Sequence, residues 1–146
     1  VQFLCASMEG QSEAQKWVDQ LGIAANVKLL PWLNQHELWR ETAQSLVSVS
    51  VSEHDGTPNS LLEAMALGCL PVCGDLESIR EWITPGENGR LVDPQDPAAL
   101  AQAILTALED SALRSTAAAH NRELIRAQAD IQIARQKVQQ FYEQFL

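Results

Sequence analysis

The chain has 146 residues, of which 46% are hydrophobic and 5% aromatic, and its formal net charge is −9. This length and composition indicate one domain over residues 1–146, large enough to bury a core. The acidic balance, without any run of lysine or arginine, argues against a nucleic-acid partner but is compatible with one bound nucleotide. No apolar run approaches the roughly 18 residues that span a bilayer, and no signal peptide is evident. We therefore expect a cytoplasmic protein without an integral membrane segment.

Short apolar segments alternate with helical patterns along the first half of the chain. Residues 1–6 and 26–30 are predicted strands, separated by a predicted helix over residues 11–21. Because the first strand has no lead-in, we expect the chain to be part of a longer protein. A helix over about residues 35–44 follows, and the β-branched segment 46–51 predicts a buried strand.

The second half continues this alternation and then becomes helical. A strand over residues 70–73 follows, flanked by Cys69 and Cys73, which we expect to be buried thiols. Asp96 opens a predicted helix, and residues 111–143 are predicted to be helical with one break. The order of elements predicts an α/β fold, a parallel sheet with helices on both faces, whose ligands bind beyond the carboxyl ends of the strands. The cysteines lack paired or histidine-rich spacing, so no metal site is predicted.

A helix that follows the strand at residues 46–51 has clear start and stop signals. Thr57 as N-cap, Pro58 as first helical residue and Gly68 as stop predict a helix over residues 58–67. Free backbone N–H groups and the helix dipole at its start favour an anion, and a diphosphate fits this position.

Two carboxylates flank the start of this helix. Asp55 lies just before it, and Glu63 lies eight positions further along the chain. Glu63 is roughly 9 Å along the axis from the cap, near the distance from a phosphate to a ribose. One helix is therefore predicted to hold both groups of a nucleotide.

Residues 55–68, DGTPNSLLEAMALG, carry a resemblance to a known family. The further matching segments are residues 26–30, 70–72, 80–83 and 86–92 and the alanine-rich helix beyond residue 96. Together they resemble the C-terminal, donor-binding half of GT-B glycosyltransferases, in the large retaining group (group 1, family 4-like) that includes sucrose and glycogen-type synthases and mannosyltransferases. The resemblance implies a Rossmann-like, three-layer parallel sheet with helices on both faces.

The resemblance also implies roles for single residues. Asp55, where the family usually has Glu, is implied to be the catalytic residue beside the transferred sugar, and Glu63 to accept hydrogen bonds from the ribose. Trp32 and Leu33 match the nucleobase region. The residues implied to hold the sugar and diphosphate are Gly56, Thr57, Pro58, Asn59, Ser60 and Leu61.

The implied activity is that of a hexosyltransferase-like enzyme of carbohydrate biosynthesis. It would transfer a sugar from a nucleotide-diphospho-sugar to a sugar, lipid or glycan acceptor, with retention and without a metal or other cofactor. The family's basic pair would precede Val1 and its acceptor-binding N-terminal half is missing, so we expect the isolated chain to be inactive. Such an enzyme is compatible with peripheral contact at the inner membrane face.

Two alternatives remain open at this point. One is a non-catalytic nucleotide-binding module that has kept the fold, which an aspartate at position 55 favours slightly. The other is a nucleotide-sugar epimerase of the same architecture.

Overall fold

The structure is a computed structural model that describes residues 1–145. It divides the chain into two compact units, of which the first comprises Val1–Glu41 and the second begins at Thr42. The strands divide between a two-stranded sheet and a three-stranded sheet. One nucleotide-sugar-binding domain over residues 1–146 stays a prediction.

The first unit contains a strand, a helix and a second strand. Strands β1 (Phe3–Cys5) and β2 (Val27–Leu29) are parallel, and helix α1 (Ser12–Leu21) connects them. Gly22 ends α1 in a left-handed conformation with φ 66°. Helix α2 (Gln35–Ala43) follows and reaches the boundary between the units. All four elements lie where the sequence pattern predicts them, within two or three residues at each end.

The second unit alternates strands and helices before it continues in helices alone. Its elements are β3 (Val47–Ser50), α3 (Asn59–Leu67), β4 (Leu70–Gly74), α4 (Glu77–Arg80), β5 (Arg90–Val92), α5 (Pro97–Glu109), α6 (Ser111–Gln128) and α7 (Ile131–Glu143). The strands are parallel, with β4 between β3 and β5. The sequence pattern did not predict β5, because three residues are too few to show a strand periodicity.

The central strand β4 contributes to two hydrophobic cores. One core is formed by Leu70, Val72, Ala107 and Ala117. The other is formed by Leu61, Met65, Cys73, Ile79 and Ile83. Since successive side chains of a strand point to opposite faces, these cores lie on the two sides of the sheet, with α5 on one side and α3 on the other. The predicted α/β fold with helices on both faces of a parallel sheet is confirmed.

Helix α3 begins one residue later than predicted. Pro58 is its N-cap residue, in an extended conformation, and makes no side-chain capping hydrogen bond. The prediction that Thr57 is the N-cap was wrong, because its hydroxyl oxygen instead accepts a hydrogen bond from the indole N–H of Trp82 at 3.3 Å. At the other end Gly68 adopts a left-handed conformation with φ 95° and closes the helix as predicted.

The C-terminal helices begin at aspartate caps. The carboxylate of Asp96 accepts hydrogen bonds from the amides of Ala98 and Ala99 at 3.0 and 2.9 Å, at the start of α5. The predicted break within residues 111–143 falls between α6 and α7, where Asp130 caps α7. Over residues 1–145, no helix has both the length and the apolar character required to cross a membrane.

A buried pair of asparagines joins the segment after α4 to α6. Asn88 is 2% exposed and Asn121 is fully buried. The Asn88 side-chain amide donates to Oδ1 of Asn121 at 2.9 Å and to the carbonyl of Trp82 at 2.8 Å. The Asn121 side-chain amide returns a bond to the Asn88 carbonyl at 2.9 Å. The two buried asparagines thus satisfy each other's hydrogen bonds and fix the segment after α4 on α6.

Candidate functional site

The candidate site lies at the carboxyl ends of the three strands of the second unit. Gly74, the last residue of β4, brings the loops after these strands together. A Cβ atom built on Gly74 would lie 2.8 Å from the carbonyl oxygen of Ser52 and 3.0 Å from Cγ of Pro94. Ser52 follows β3 and Pro94 follows β5, so no larger residue fits where the three loops meet. Gly74 was not among the predicted site residues, although a glycine at the end of an apolar strand is a signal of close approach.

The loop between β3 and α3 carries Asp55. Its side chain is exposed, and its backbone carbonyl accepts a hydrogen bond from the hydroxyl of Ser78 at 3.0 Å. Two residues later, Thr57 accepts from Trp82. Two groups from the segment that begins with α4 therefore contact this loop, and the sequence analysis gave neither Ser78 nor Trp82 this role.

The first turn of α3 presents backbone N–H groups without a side-chain cap. Asn59 and Ser60 occupy this turn and are exposed. The side chain of Leu61 is 3% exposed and belongs to the core, so only its backbone is able to face a ligand. Its amide donates to the carbonyl of Pro58 at 3.0 Å. An uncapped helix start of this kind favours an anion.

Glu63 lies one helical turn beyond Asn59 on α3. It is half-buried, whereas the core positions of this helix are Leu61, Ala64 and Met65. Residues four apart on a helix share a face, so the carboxyl group of Glu63 belongs to the side of α3 that carries the exposed Asn59. This placement would allow Glu63 to contact a ligand bound at the start of α3.

A cavity of about 420 Å³ lies beside Asp55. It is lined by Glu53, His54, Asp55, Leu76, Glu77, Ser78 and Glu81. Carboxylates accept hydrogen bonds from hydroxyl groups and repel phosphates, so this cavity suits the sugar side of a donor and the start of α3 suits the diphosphate.

Trp32 and Leu33 lie in the first unit, between β2 and α2. Trp32 is 78% exposed, and Leu33 is half-buried. The assignment of these two residues to the nucleobase stays a prediction.

The buried cysteines have a structural environment. The thiol of Cys69 lies 3.1 Å from the carbonyl oxygen of Thr42, to which it donates, and burial raises its pKa. Burial also raises the pKa of Cys73, to about 11. A neutral thiol is a poor nucleophile and a poor metal ligand. Within residues 1–145, no three histidine, cysteine or acidic side chains come together as metal ligands.

An exposed ion pair connects the end of β4 to α4. Arg80 contacts Asp75 through Nε at 2.6 Å and through a second nitrogen at 2.8 Å. The hydrogen bond from Arg80 holds the pKa of Asp75 below its ordinary value.

Comparison with known proteins identifies the family. The family model described as "Glycosyl transferases group 1" matches residues 5–124. The chain belongs to this family. The matched range contains the motif at residues 55–68 and the four strands β2 to β5.

Sequence relatives carry glycosyltransferase names. The chain is 36% identical over 83 residues to a phosphatidyl-myo-inositol mannosyltransferase of Mycobacterium leprae. The aligned region covers 57% of this chain and 22% of that protein. It is 28% identical over 127 residues to the lipopolysaccharide core biosynthesis glycosyltransferase LpsE of Rhizobium meliloti. The aligned region covers 84% of this chain and 36% of that protein. The chain therefore spans well under half the length of these relatives.

Solved structures share the fold. The sucrose-phosphate synthase of Thermosynechococcus elongatus superposes with a TM-score of 0.86 at 25% identity, covering 99% of this chain and 38% of that one. Anabaena HepE in complex with UDP-glucose superposes with a TM-score of 0.85 at 21% identity, covering 98% and 41%. The predicted resemblance to the C-terminal domains of GT-B glycosyltransferases is confirmed.

Proposed function

We propose that this chain is the donor-binding domain of a hexosyltransferase-like enzyme that transfers a sugar from a nucleotide-diphospho-sugar with retention of anomeric configuration. One observation carries the proposal. Helix α3 begins without a side-chain cap, with Asp55 before its start and Glu63 one turn inside it. The first turn provides donors for a diphosphate, and the two carboxylates provide acceptors for hydroxyl groups on either side of it.

The proposal assigns protein groups to each part of a nucleotide-sugar. The diphosphate binds at the backbone of residues 56–61, and the ribose hydroxyls donate to Glu63. When the glycosyl bond breaks, negative charge develops on the diphosphate, and the amides of the first turn of α3 stabilise it. Asp55 accepts hydrogen bonds from the sugar, and its charge favours the positive charge that develops at the anomeric carbon. On the family resemblance alone, we propose Trp32 and Leu33 as the nucleobase residues. We propose that this binding needs no metal ion or other cofactor.

The similar proteins support a nucleotide-sugar donor and a lipid-linked or glycan acceptor. Anabaena HepE has been solved in complex with UDP-glucose, and two relatives are named as a phosphatidyl-myo-inositol mannosyltransferase and a lipopolysaccharide core biosynthesis glycosyltransferase. Because the chain spans only part of these proteins, we propose that acceptor binding requires residues outside it and that the chain alone binds donor without transferring sugar. A cytoplasmic location, with peripheral contact at the inner membrane face, fits this acceptor class.

The test is a calorimetric titration of the chain with UDP, GDP and ADP and with UDP-glucose, GDP-mannose and ADP-glucose. We expect saturable binding of one nucleotide and its conjugate. Glu63→Gln should weaken that binding by about 10- to 100-fold, the size expected for hydrogen bonds to a charged acceptor. The melting temperature should stay near that of the wild type.

The matched control is Glu109→Gln, an exposed glutamate at the end of α5. It should leave nucleotide affinity unchanged. Equal affinity of wild type and Glu63→Gln would contradict the ribose assignment. Absence of binding both in this chain and in the complete protein that contains it would contradict the donor-binding proposal.

Product analysis with the complete protein separates transfer from the two alternatives. A glycosylated acceptor supports transfer, an epimerised nucleotide-sugar supports an epimerase, and an unchanged nucleotide-sugar supports a binding module. The anomeric configuration of the product, measured by NMR, tests retention.

A further inference from the structure

The loop that carries Asp55 is held from one side by two hydrogen bonds. Ser78 Oγ donates to the carbonyl oxygen of Asp55 at 3.0 Å, and Trp82 Nε1 donates to Oγ1 of Thr57 at 3.3 Å. Gly56 lies between the two contact points, and open space surrounds the position of a Cβ atom on it. The two bonds thus bracket the residue of this loop that has the greatest conformational freedom.

The donors of these bonds belong to a well-packed segment. Ile79 and Ile83 are 3% and 2% exposed and form part of the core, and the ring of Trp82 packs against that core. The carbonyl of Trp82 accepts a hydrogen bond from the buried Asn88 at 2.8 Å. The exposed loop is therefore attached to a segment whose own position is fixed by burial and by the asparagine pair.

We propose that Ser78 and Trp82 are positioning residues, which hold the loop of residues 53–58 in its donor-binding conformation before the donor arrives. This inference rests on the proposed function. A loop that is already ordered loses less conformational entropy when the ligand binds, so its affinity for the ligand is higher. The two bonds act on both ends of the Asp55–Thr57 segment, which sets the direction of the Asp55 side chain and the approach to the first turn of α3.

Three variants separate the hydrogen bonds from the packing. Ser78→Ala removes one donor, whereas Ser78→Thr keeps a hydroxyl at the same position and should rescue the effect. Trp82→Phe keeps an aromatic ring against the core and removes the N–H group. Matched controls are Ser115→Ala, an exposed serine on α6, and Trp17→Phe, an exposed tryptophan in the first unit.

The first readout needs no ligand. Backbone ¹⁵N relaxation gives an order parameter for Gly56. We expect a value of about 0.85 in the wild type and below about 0.6 in Ser78→Ala and Trp82→Phe. Ser78→Thr and both controls should keep the wild-type value. An equal order parameter at Gly56 in wild type, Ser78→Ala and Trp82→Phe would overturn the proposal.

The second readout is the affinity for UDP-glucose, GDP-mannose and ADP-glucose by calorimetry. For the conjugate that the wild type binds, each of Ser78→Ala and Trp82→Phe should weaken binding by about 2- to 10-fold, the equivalent of one net hydrogen bond. The affinity of Ser78→Thr should be close to that of the wild type. A lower melting temperature with unchanged affinity would assign these residues a purely structural role and overturn the proposal.

The two readouts distinguish failure of this inference from failure of the proposed function. If the wild type and the complete protein bind no nucleotide-sugar, the proposed function fails and the donor-positioning role fails with it, whatever the order parameters show. If the wild type binds but neither variant changes affinity, only the positioning role fails.

Discussion

The asparagine pair and the loop of residues 53–58 are both polar and both belong to the second unit, yet one is buried and the other is exposed. Asn88 and Asn121 are buried and pair with each other. The loop is largely exposed and accepts hydrogen bonds from Ser78 and Trp82. A buried polar group must find a protein partner or destabilise the fold, whereas an exposed one remains available for a ligand. Substitutions in the first region should therefore change stability, and those in the second should change binding or turnover.

Asn121→Ala should give the largest effect. It removes one of the two acceptors of the Asn88 side-chain amide and the donor to the Asn88 carbonyl in a buried site, so we expect a loss of about 3 kcal/mol in the free energy of unfolding. Urea denaturation measures this loss. The neighbouring exposed residue His120 provides the control, since His120→Ala should change stability by less than about 0.5 kcal/mol. Nucleotide affinity of folded Asn121→Ala should stay at the wild-type value. A loss of affinity without a loss of stability would contradict a purely structural role of the asparagine pair.

Asp55→Asn should act on turnover and spare nucleotide affinity. If the Asp55 carboxylate stabilises charge beside the sugar, its neutral isostere should lower transfer by the complete protein about 100-fold. Binding of the free nucleotide should be nearly unchanged, because Asp55 meets the sugar rather than the diphosphate. Glu53→Gln is the control, since Glu53 lines the same cavity. An equal loss of turnover in both variants would indicate a general effect of cavity charge and contradict the specific role of Asp55.

Gly74→Ala should affect both stability and binding, because Gly74 belongs to the fold and to the site. The added methyl group would meet the carbonyl oxygen of Ser52, which is backbone and has little room to move. We expect a loss of about 1–2 kcal/mol in the free energy of unfolding and weaker nucleotide binding through displacement of the loop. Gly56→Ala, with open space around the added atom, should leave stability within about 0.5 kcal/mol of the wild type. A fully stable Gly74→Ala would contradict the close approach of the three loops.

Arg80→Met should give the smallest effect, and that effect should depend on pH. Arg80 lowers the pKa of Asp75 in the folded state, so the pair stabilises the fold above the ordinary aspartate pKa of about 4. This contribution is lost as the pH falls through the lowered pKa, because the carboxyl group becomes protonated. The melting temperature of Arg80→Met should be slightly below that of the wild type at about pH 7, and the difference should shrink as the pH falls below the ordinary aspartate pKa. A difference that stays the same size over this range would show that packing, rather than charge, accounts for it.

Locally encoded features were predictable, and features that depend on distant residues were not. The helix after Asp96 begins where its own aspartate and proline predict, and the left-handed Gly68 ends α3 as predicted. By contrast, Thr57 has the side chain of an N-cap, yet its hydroxyl pairs with Trp82, a residue 25 positions away. The three-residue strand β5 forms because β4 provides hydrogen-bond partners, which no periodicity within β5 reveals.

The same distinction applies to the candidate site. The two carboxylates, the helix start between them and the family were predictable from the sequence, because a helix start and the eight-position separation of two acidic residues are local properties of residues 55–63. The hydrogen bonds from Ser78 and Trp82 to the loop of residues 53–58 were visible in the tertiary structure alone. The same is true of the close approach of the loops after β3 and β5 to Gly74. These contacts join residues about 20 to 25 positions apart, and such pairs meet only when parallel strands bring their carboxyl ends to one edge of a sheet.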